Sequence, residues 1–249
     1  MRLLLAFFLL IQPFSESISA QADGNYTDLL ILHADGRYKN CIKKAKKYIR
    51  SKKTTNDEFP YLVTSACYYR ISLDQMYDSD YPDAQKKALE YAGYAFGKCA
   101  DENVYSEFRN DFLPDLVDMT IHDIRFEFDE ADSLYFEEVI SMVDLILKFK
   151  PNEAGFYFIK SACLNYLNET SKAQLSYEKG KEILKTFDVL SVAGKYALKQ
   201  GVFSCVDIYS SNSNYSEAKQ LLDLCSKSLS KDEEYLYELK AIESYLEKY

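Results

Sequence analysis

The sequence predicts an all-α chain of stacked helix pairs, and three observations carry that expectation. Ser161-Ala162-Cys163 is followed, twelve residues after Ser161, by Ala173 and then by Tyr177 and Gly180. Small residues at that spacing let two antiparallel helices touch, which is the unit of a helical solenoid. The 249 residues include only 8 Gly and 5 Pro, too few turn residues for the many short strands of a sandwich or barrel. Cys41, Ile42, Ala45, Tyr48 and Ile49 recur at three- and four-residue intervals, the period of a helix with one apolar face.

The chain opens with Met1-Arg2, the apolar run Leu3 to Ile11, Pro13 and the small residues Ala20 and Ala22. This is the layout of a secretory signal peptide, expected to be cleaved after residue 20, or after Ala22. The nine apolar residues are too few to span a bilayer, and no later stretch reaches transmembrane length without charges. The mature chain is therefore expected to be exported, either periplasmic or secreted. Cleavage removes Arg2 and Glu16 together and leaves the net charge at -9, which does not suit general nucleic-acid binding.

The repeat domain is expected over 23–231. Its first pair spans about 25 to 53, with Tyr26, Leu29, Leu30 and Leu32 on one helix, a turn at Asp35-Gly36, and Cys41 to Ile49 on the next. A second pair begins after Pro60, with Ser65, Cys67 and Tyr68 facing Ala84, Ala88 and Leu89. There Ser65 and Ala84 are 19 residues apart, an excess that falls in Asp74 to Pro82. The third pair reads as one long helix from Val104 to Phe128, disturbed at Pro114, and a partner from Leu134 to Phe149. The fourth, 154–187, is the most regular. Val189 to Tyr209 supplies one or two helices around Gly201, followed by a helix from Tyr215. Residues 232–249 form a charged amphipathic helix suited to capping the stack.

These units resemble tetratricopeptide repeats, helix-turn-helix modules of about 34 residues. The resemblance runs over roughly 25–230 and rests most on Ser161, Ala173, Tyr177 and Gly180, with turn aromatics at Tyr38, Tyr81 and Tyr215. It departs from the family in having no Trp and uneven spacing. The resemblance implies a right-handed solenoid of about five irregular pairs whose first helices line a groove for extended peptides or partner helices. It places Tyr69, Arg70, Asn165 and Tyr166 toward that groove. Leu62, Ala66, Phe158 and Ala162 occupy the earlier groove positions, so an apolar or aromatic-rich peptide fits better than an acidic C-terminus.

Catalysis is not expected. His33 and His122 stand alone, and there is no glycine-rich phosphate loop, Gly-x-Ser-x-Gly elbow or Cys-x-x-Cys pair. No cofactor or metal is implied. Asp129, Glu130, Asp132, Glu137 and Glu138 read as a helix start. The six cysteines are expected to be mostly buried small apolar residues, with Cys205 and Cys225 the first pair to test for a disulfide. Sequons at Asn25, Asn168 and Asn214 support exposure, the last two in predicted inter-helix turns.

Charge is uneven along the chain. Residues 37–53 hold nine Lys or Arg and no acid, while 101–138 hold thirteen acids against Arg109 and Arg125. Lys43, Lys44, Lys46 and Lys47 lie around the second helix and make a candidate docking face for an acidic partner; a solvated helix face is the alternative. The expected function is a noncatalytic scaffold for a protein or peptide partner. The rival readings are a structural subunit of a cell-envelope or secretion assembly and, more remotely, a carboxylate-dependent hydrolase.

Overall fold

The computed structural model describes residues 26–99, 105–124, 133–186, 191–231 and 233–246. The leader at 1–22 and the acids Asp129, Glu130 and Asp132 lie outside the described residues. Among those described, the chain is all-helical and has no strand. In order the helices are α1 (Thr27–Ala34), α2 (Tyr38–Arg50), α3 (Phe59–Ser72), α4 (Ala84–Phe96), α5 (Ser106–Asn110), α6 (Leu113–Ile124), α7 (Ser133–Leu147), α8 (Ala154–Tyr166), α9 (Thr170–Thr186), α10 (Val192–Ser211), α11 (Tyr215–Leu229) and α12 (Glu233–Leu246). A 3₁₀ turn, Gln75–Tyr77, sits in the long connection between α3 and α4.

Three of the helix-to-helix turns are built the same way. Gly36, Asn168 and Ser213 have φ of 70°, 60° and 60°. The N–H of each bonds the carbonyl three residues back, at His33, Asn165 and Ser210. The following N–H, of Arg37, Glu169 or Asn214, reaches back five residues to Leu32, Leu164 or Tyr209 at 2.8–2.9 Å. This left-handed cap satisfies carbonyls that a helix end leaves orphaned. An L side chain costs roughly 1 kcal/mol in that conformation and glycine does not. Gly36→Ala is therefore expected to lower the melting temperature and Ser213→Gly to raise it, each by about 1 kcal/mol of stability. Thermal melts of the two variants check both signs.

Helices pair through small residues. Ser161 Oγ donates to the Ala173 carbonyl at 2.9 Å, joining α8 to α9. The same tripeptide, Ser65-Ala66-Cys67, does this on α3, where Ser65 Oγ donates to the Ala88 carbonyl at 2.7 Å. This corrects the register expected from sequence, which set Ser65 against Ala84. The insertion after α3 displaces the contact by one helical turn, to a residue that is also small and wholly buried.

Helix α8 is buried on nearly all sides and divides the core. Phe156, Ile159 and Cys163 join the apolar cluster built on α1 to α7, whereas Ala154, Phe158 and Ala162 join the cluster of α9 to α12. Its closest partner is α10, and glycines permit the contact. A Cβ on Gly155 would lie 2.1 Å from the Leu198 backbone nitrogen, and one on Gly201 would lie 2.8 Å from the Gly155 carbonyl oxygen. Gly201 is thus an inner position of one continuous helix, not a break between two.

The third pair departs most from expectation. The stretch read as one long helix is α5 followed by α6, broken at 111–112. Pro114 stands in the first turn of α6, where its missing N–H costs nothing and its ring would not tolerate a continuous helix from α5. Helix α6 also packs on α10, with the His122 and Tyr196 rings 5.2 Å apart. At the far end α12 buries Tyr235, Leu239 and Leu246, with the Tyr235 ring stacked on Phe203 of α10 at 5.5 Å.

One ion cluster ties α9 to α11. Tyr177 O–H and Lys181 Nζ both donate to Glu217 Oε1, at 2.7 and 3.0 Å. The Tyr177 and then the Lys181 hydrogen bonds hold the Glu217 carboxyl below its usual pKa of 4.5. A depressed folded-state pKa contributes stability that is complete above 4.5 and is lost as the pH falls through the lower folded value. Glu217→Gln is accordingly expected to flatten the loss of stability below about pH 4.5, read by urea denaturation at several pH values.

Candidate functional site

The four residues expected to face a common groove lie at two places in the fold. Tyr69 is 5% exposed, its ring 6.1 Å from Phe112, so it is core and offers no surface. Arg70 stacks over Tyr69 and lies 3.8 Å from Asp111. Asn165 Nδ2 donates to the Ser161 carbonyl of its own helix at 3.1 Å. Tyr166 stands partly exposed and stacks flat on Phe136 at 4.8 Å. The first two sit where α3 meets the α5–α6 break, the other two at the end of α8. Much of the tyrosine and phenylalanine content is structural: Tyr26, Phe59, Tyr105, Phe108 and Phe112 form a chain of ring contacts of 4.8–5.9 Å linking α1, α3 and α5.

A cleft of about 440 Å³ opens instead where the second pair meets the third. Its apolar lining comes from Leu62 on α3, Ala92, Ala95 and Phe96 on α4, Leu113 and Pro114 on α6, and Phe149 and Pro151 after α7. Its polar lining is Glu58, Ser106, Arg109, Asn110, Lys150, Asn152 and Glu153. This volume lies in the range of small-ligand and side-chain pockets. Pro60 in the first turn of α3 and Pro114 in that of α6 start two of the helices that frame it.

The wall of the cleft is fixed by an ion pair. Arg109 Nε donates to Glu58 Oε1 at 2.8 Å, and Arg109 Nη2 donates to the same oxygen. The two side chains are only 13% and 6% exposed. Burial alone would lower the guanidinium pKa, but the bonds to Glu58 outweigh it and the net shift is upward. Arg109 Nη2 also lies 2.9 Å from Cys99 Sγ. Burial, with Glu58 nearby, raises the Cys99 thiol pKa, which makes it a poor nucleophile at neutral pH. Glu153 closes the opposite wall and accepts a long 3.4 Å bond from the Ser191 N–H at the start of α10.

Sequence reasoning missed this site because its pieces are far apart: Glu58 and Arg109 are 51 residues distant. The one local signal is the polar turn Lys150-Pro151-Asn152-Glu153 between two helices.

Of the four lysines expected on the basic face, two are engaged within the chain. Lys44 pairs with Asp28 at 2.5 Å, and Tyr48 O–H donates to the same carboxylate at 2.9 Å. Burial works against the Asp28 charge, yet these bonds hold its pKa below the usual value. Lys46 Nζ donates to Tyr68 Oη at 2.9 Å. Lys43 and Lys47 are exposed, with no acidic partner among the described residues.

Cys41, Cys67, Cys163, Cys205 and Cys225 are buried, and Cys99 is half-buried. Cys205 and Cys225 lie on adjacent helices, and burial pushes the Cys205 thiol up to about 12. Burial likewise holds His33 below its usual pKa, with Arg70 adding to the effect. Among the described residues, no group of His, Cys, Asp and Glu is arranged to hold a metal ion, and no helix is long and apolar enough to cross a membrane. Comparison of the chain with protein-family models, curated proteins and solved structures finds no match in any of the three.

Proposed function

We propose that the chain is an exported, noncatalytic interaction scaffold of tetratricopeptide-like helix pairs, stacked as an irregular solenoid, which grips an apolar-rich segment of a protein partner. The observation that carries this reading is the preformed cleft between the second and third pairs, with buried Leu62, Ala92, Ala95 and Phe149 and a mixed set of polar groups in its lining. Its wall is braced by the buried Glu58–Arg109 pair, so little ordering accompanies binding and most of the contact energy is available for affinity. An apolar side chain of the partner fills the floor, while Lys150, Asn110 and Asn152 satisfy its backbone. The polar groups at hand serve positioning and structure: the Glu58 carboxylate is engaged by Arg109, and Cys99 is a raised-pKa thiol.

Site-specific photo-crosslinking tests this. A photoreactive side chain at exposed Asn152, on the cleft rim, should capture a discrete protein partner in the native compartment. The same group at Leu175, exposed on α9, should not. No discrete adduct from Asn152, or the same adducts from both positions, would sink the assignment.

A further inference from the structure

We infer that a second surface, formed by α2, α3, the α3–α4 connection and α4, docks an acidic protein segment through its carboxylates. Six tyrosines stand there in one row. Tyr77, Tyr81, Tyr68, Tyr91, Tyr94 and Tyr61 follow one another with ring centroids 6.3, 6.2, 5.7, 5.9 and 6.2 Å apart. Three lysines reach over the rings. Lys39 lies 4.9 Å from the centre of Tyr77, Lys46 5.3 Å from Tyr68 and 5.8 Å from Tyr91, and Lys87 5.9 Å from Tyr68. Attraction between an ammonium group and a ring face fixes long, mobile side chains in place, so the row presents an ordered array of N–H and phenolic O–H donors.

Beyond the row, Lys43, Lys47 and Arg50 stand exposed on α2, and Lys86 stands half-buried on α4, all without an acidic partner among the described residues. The acids on these elements are Asp80 on Lys39, Asp83 on Lys87, Glu90 beside Tyr68, and the exposed Asp74 and Asp78 of the α3–α4 connection. They leave a local excess of positive charge on a chain whose net charge is -9. Screening confines a surface charge to about 10 Å at moderate salt, so a partner meets the patch and not the net charge.

The occupant follows from what the surface lacks. A bilayer needs an apolar helix face to insert, but Cys41, Ile42 and Ala45 of α2 are buried beneath it. A nucleic-acid strand needs a run of open ring faces for base stacking, but here Tyr61 and Tyr68 are buried and, of the six rings, Tyr94 alone stands open, at 51% exposed. Carboxylates need only donors, and charge-assisted bonds to them are the strong ones. This face shares no residue with the cleft lining, so the two assignments stand or fall separately.

The test is fluorescence anisotropy of a labelled glutamate-rich peptide titrated with the full mature chain. Saturable binding is expected, weakened at least about tenfold by Lys43→Glu combined with Lys47→Glu, and similarly weakened as salt rises from about 0.05 M to about 0.5 M. Lys185→Glu, an exposed change on α9, should leave it unaltered. Both lysine sites are on the surface, and an unchanged melting temperature verifies that the variants fold. Absence of binding, or equal binding by the double variant, would overturn the inference. So would binding of phosphatidylserine vesicles or an oligothymidine strand as tight as that of the peptide.

Discussion

Gly155→Ala is expected to destabilise the chain by more than about 3 kcal/mol, although the substitution improves intrinsic helix propensity. Propensity alone predicts the opposite sign, a gain of about 1 kcal/mol for alanine over glycine inside a helix. The reason is the α8–α10 crossing. The new methyl would lie 2.1 Å from the Leu198 nitrogen, 2.4 Å from the Ala197 carbonyl carbon and 2.6 Å from the Leu198 Cα. All three are backbone atoms and none can rotate away, so the two helices must separate. Because α8 carries side chains of both apolar clusters, separation loosens packing on each side of it. Gly201→Ala should act in the same direction. Gly93→Ala is the contrast: the nearest atoms to its methyl would be Lys148 Cδ at 3.1 Å, which can rotate away, and Lys148 Cβ at 3.2 Å, which need yield only slightly, and neither is backbone. Gly93→Ala should therefore be neutral or slightly stabilising. Urea denaturation of the three variants separates the packing account from propensity.

Arg109→Ala carries the second large effect, a loss of about 3–5 kcal/mol, because it leaves Glu58 charged and buried without its partner. The 2.8 Å bond from Nε and the second bond from Nη2 disappear together. Removing both charges is expected to cost far less than removing one. Glu58→Gln combined with Arg109→Met should recover most of the loss, since apolar or neutral replacements of similar volume are often near neutral. A single-variant loss below about 1 kcal/mol would show that the pair is solvated like an ordinary surface bridge. The same variants bear on function. A folded double variant keeps the cleft walls without the charges, so a persisting partner crosslink from Asn152 would assign the pair a bracing role and not direct contact.

The helical class was legible because it depends on local signals: few glycines and prolines, a 3.6-residue apolar period, and small residues where helices touch. The fourth pair was legible in detail since Ser161 and Ala173 lie only twelve residues apart with a tight turn between. The second pair was misregistered because nothing local fixes where an inserted segment lets α4 begin to pack, and Ala84 and Ala88 both satisfy the pattern. The break between α5 and α6 was half visible in Pro114, whose restriction falls on the residues before it. Gly201 was ambiguous for a related reason: an interior glycine reads equally as a weak point or as a close approach, and only the partner backbone decides. The cleft was not legible. Glu58, Arg109 and Glu153 are ordinary charged residues in sequence, made distinctive by burial against elements far along the chain. The burial of Tyr69 was illegible on the same ground, since it meets Phe112 across a joint that no periodicity encodes.

The proposed occupant of the cleft between the second and third helix pairs is a protein segment. Hydrogen–deuterium exchange of the chain, with and without a captured protein partner, checks this occupancy. Slowed exchange is expected in residues 92–96, 106–114 and 149–153, with α9 to α12 unchanged. Protection confined to α9 to α12, with the cleft segments exchanging as in the free chain, would contradict it.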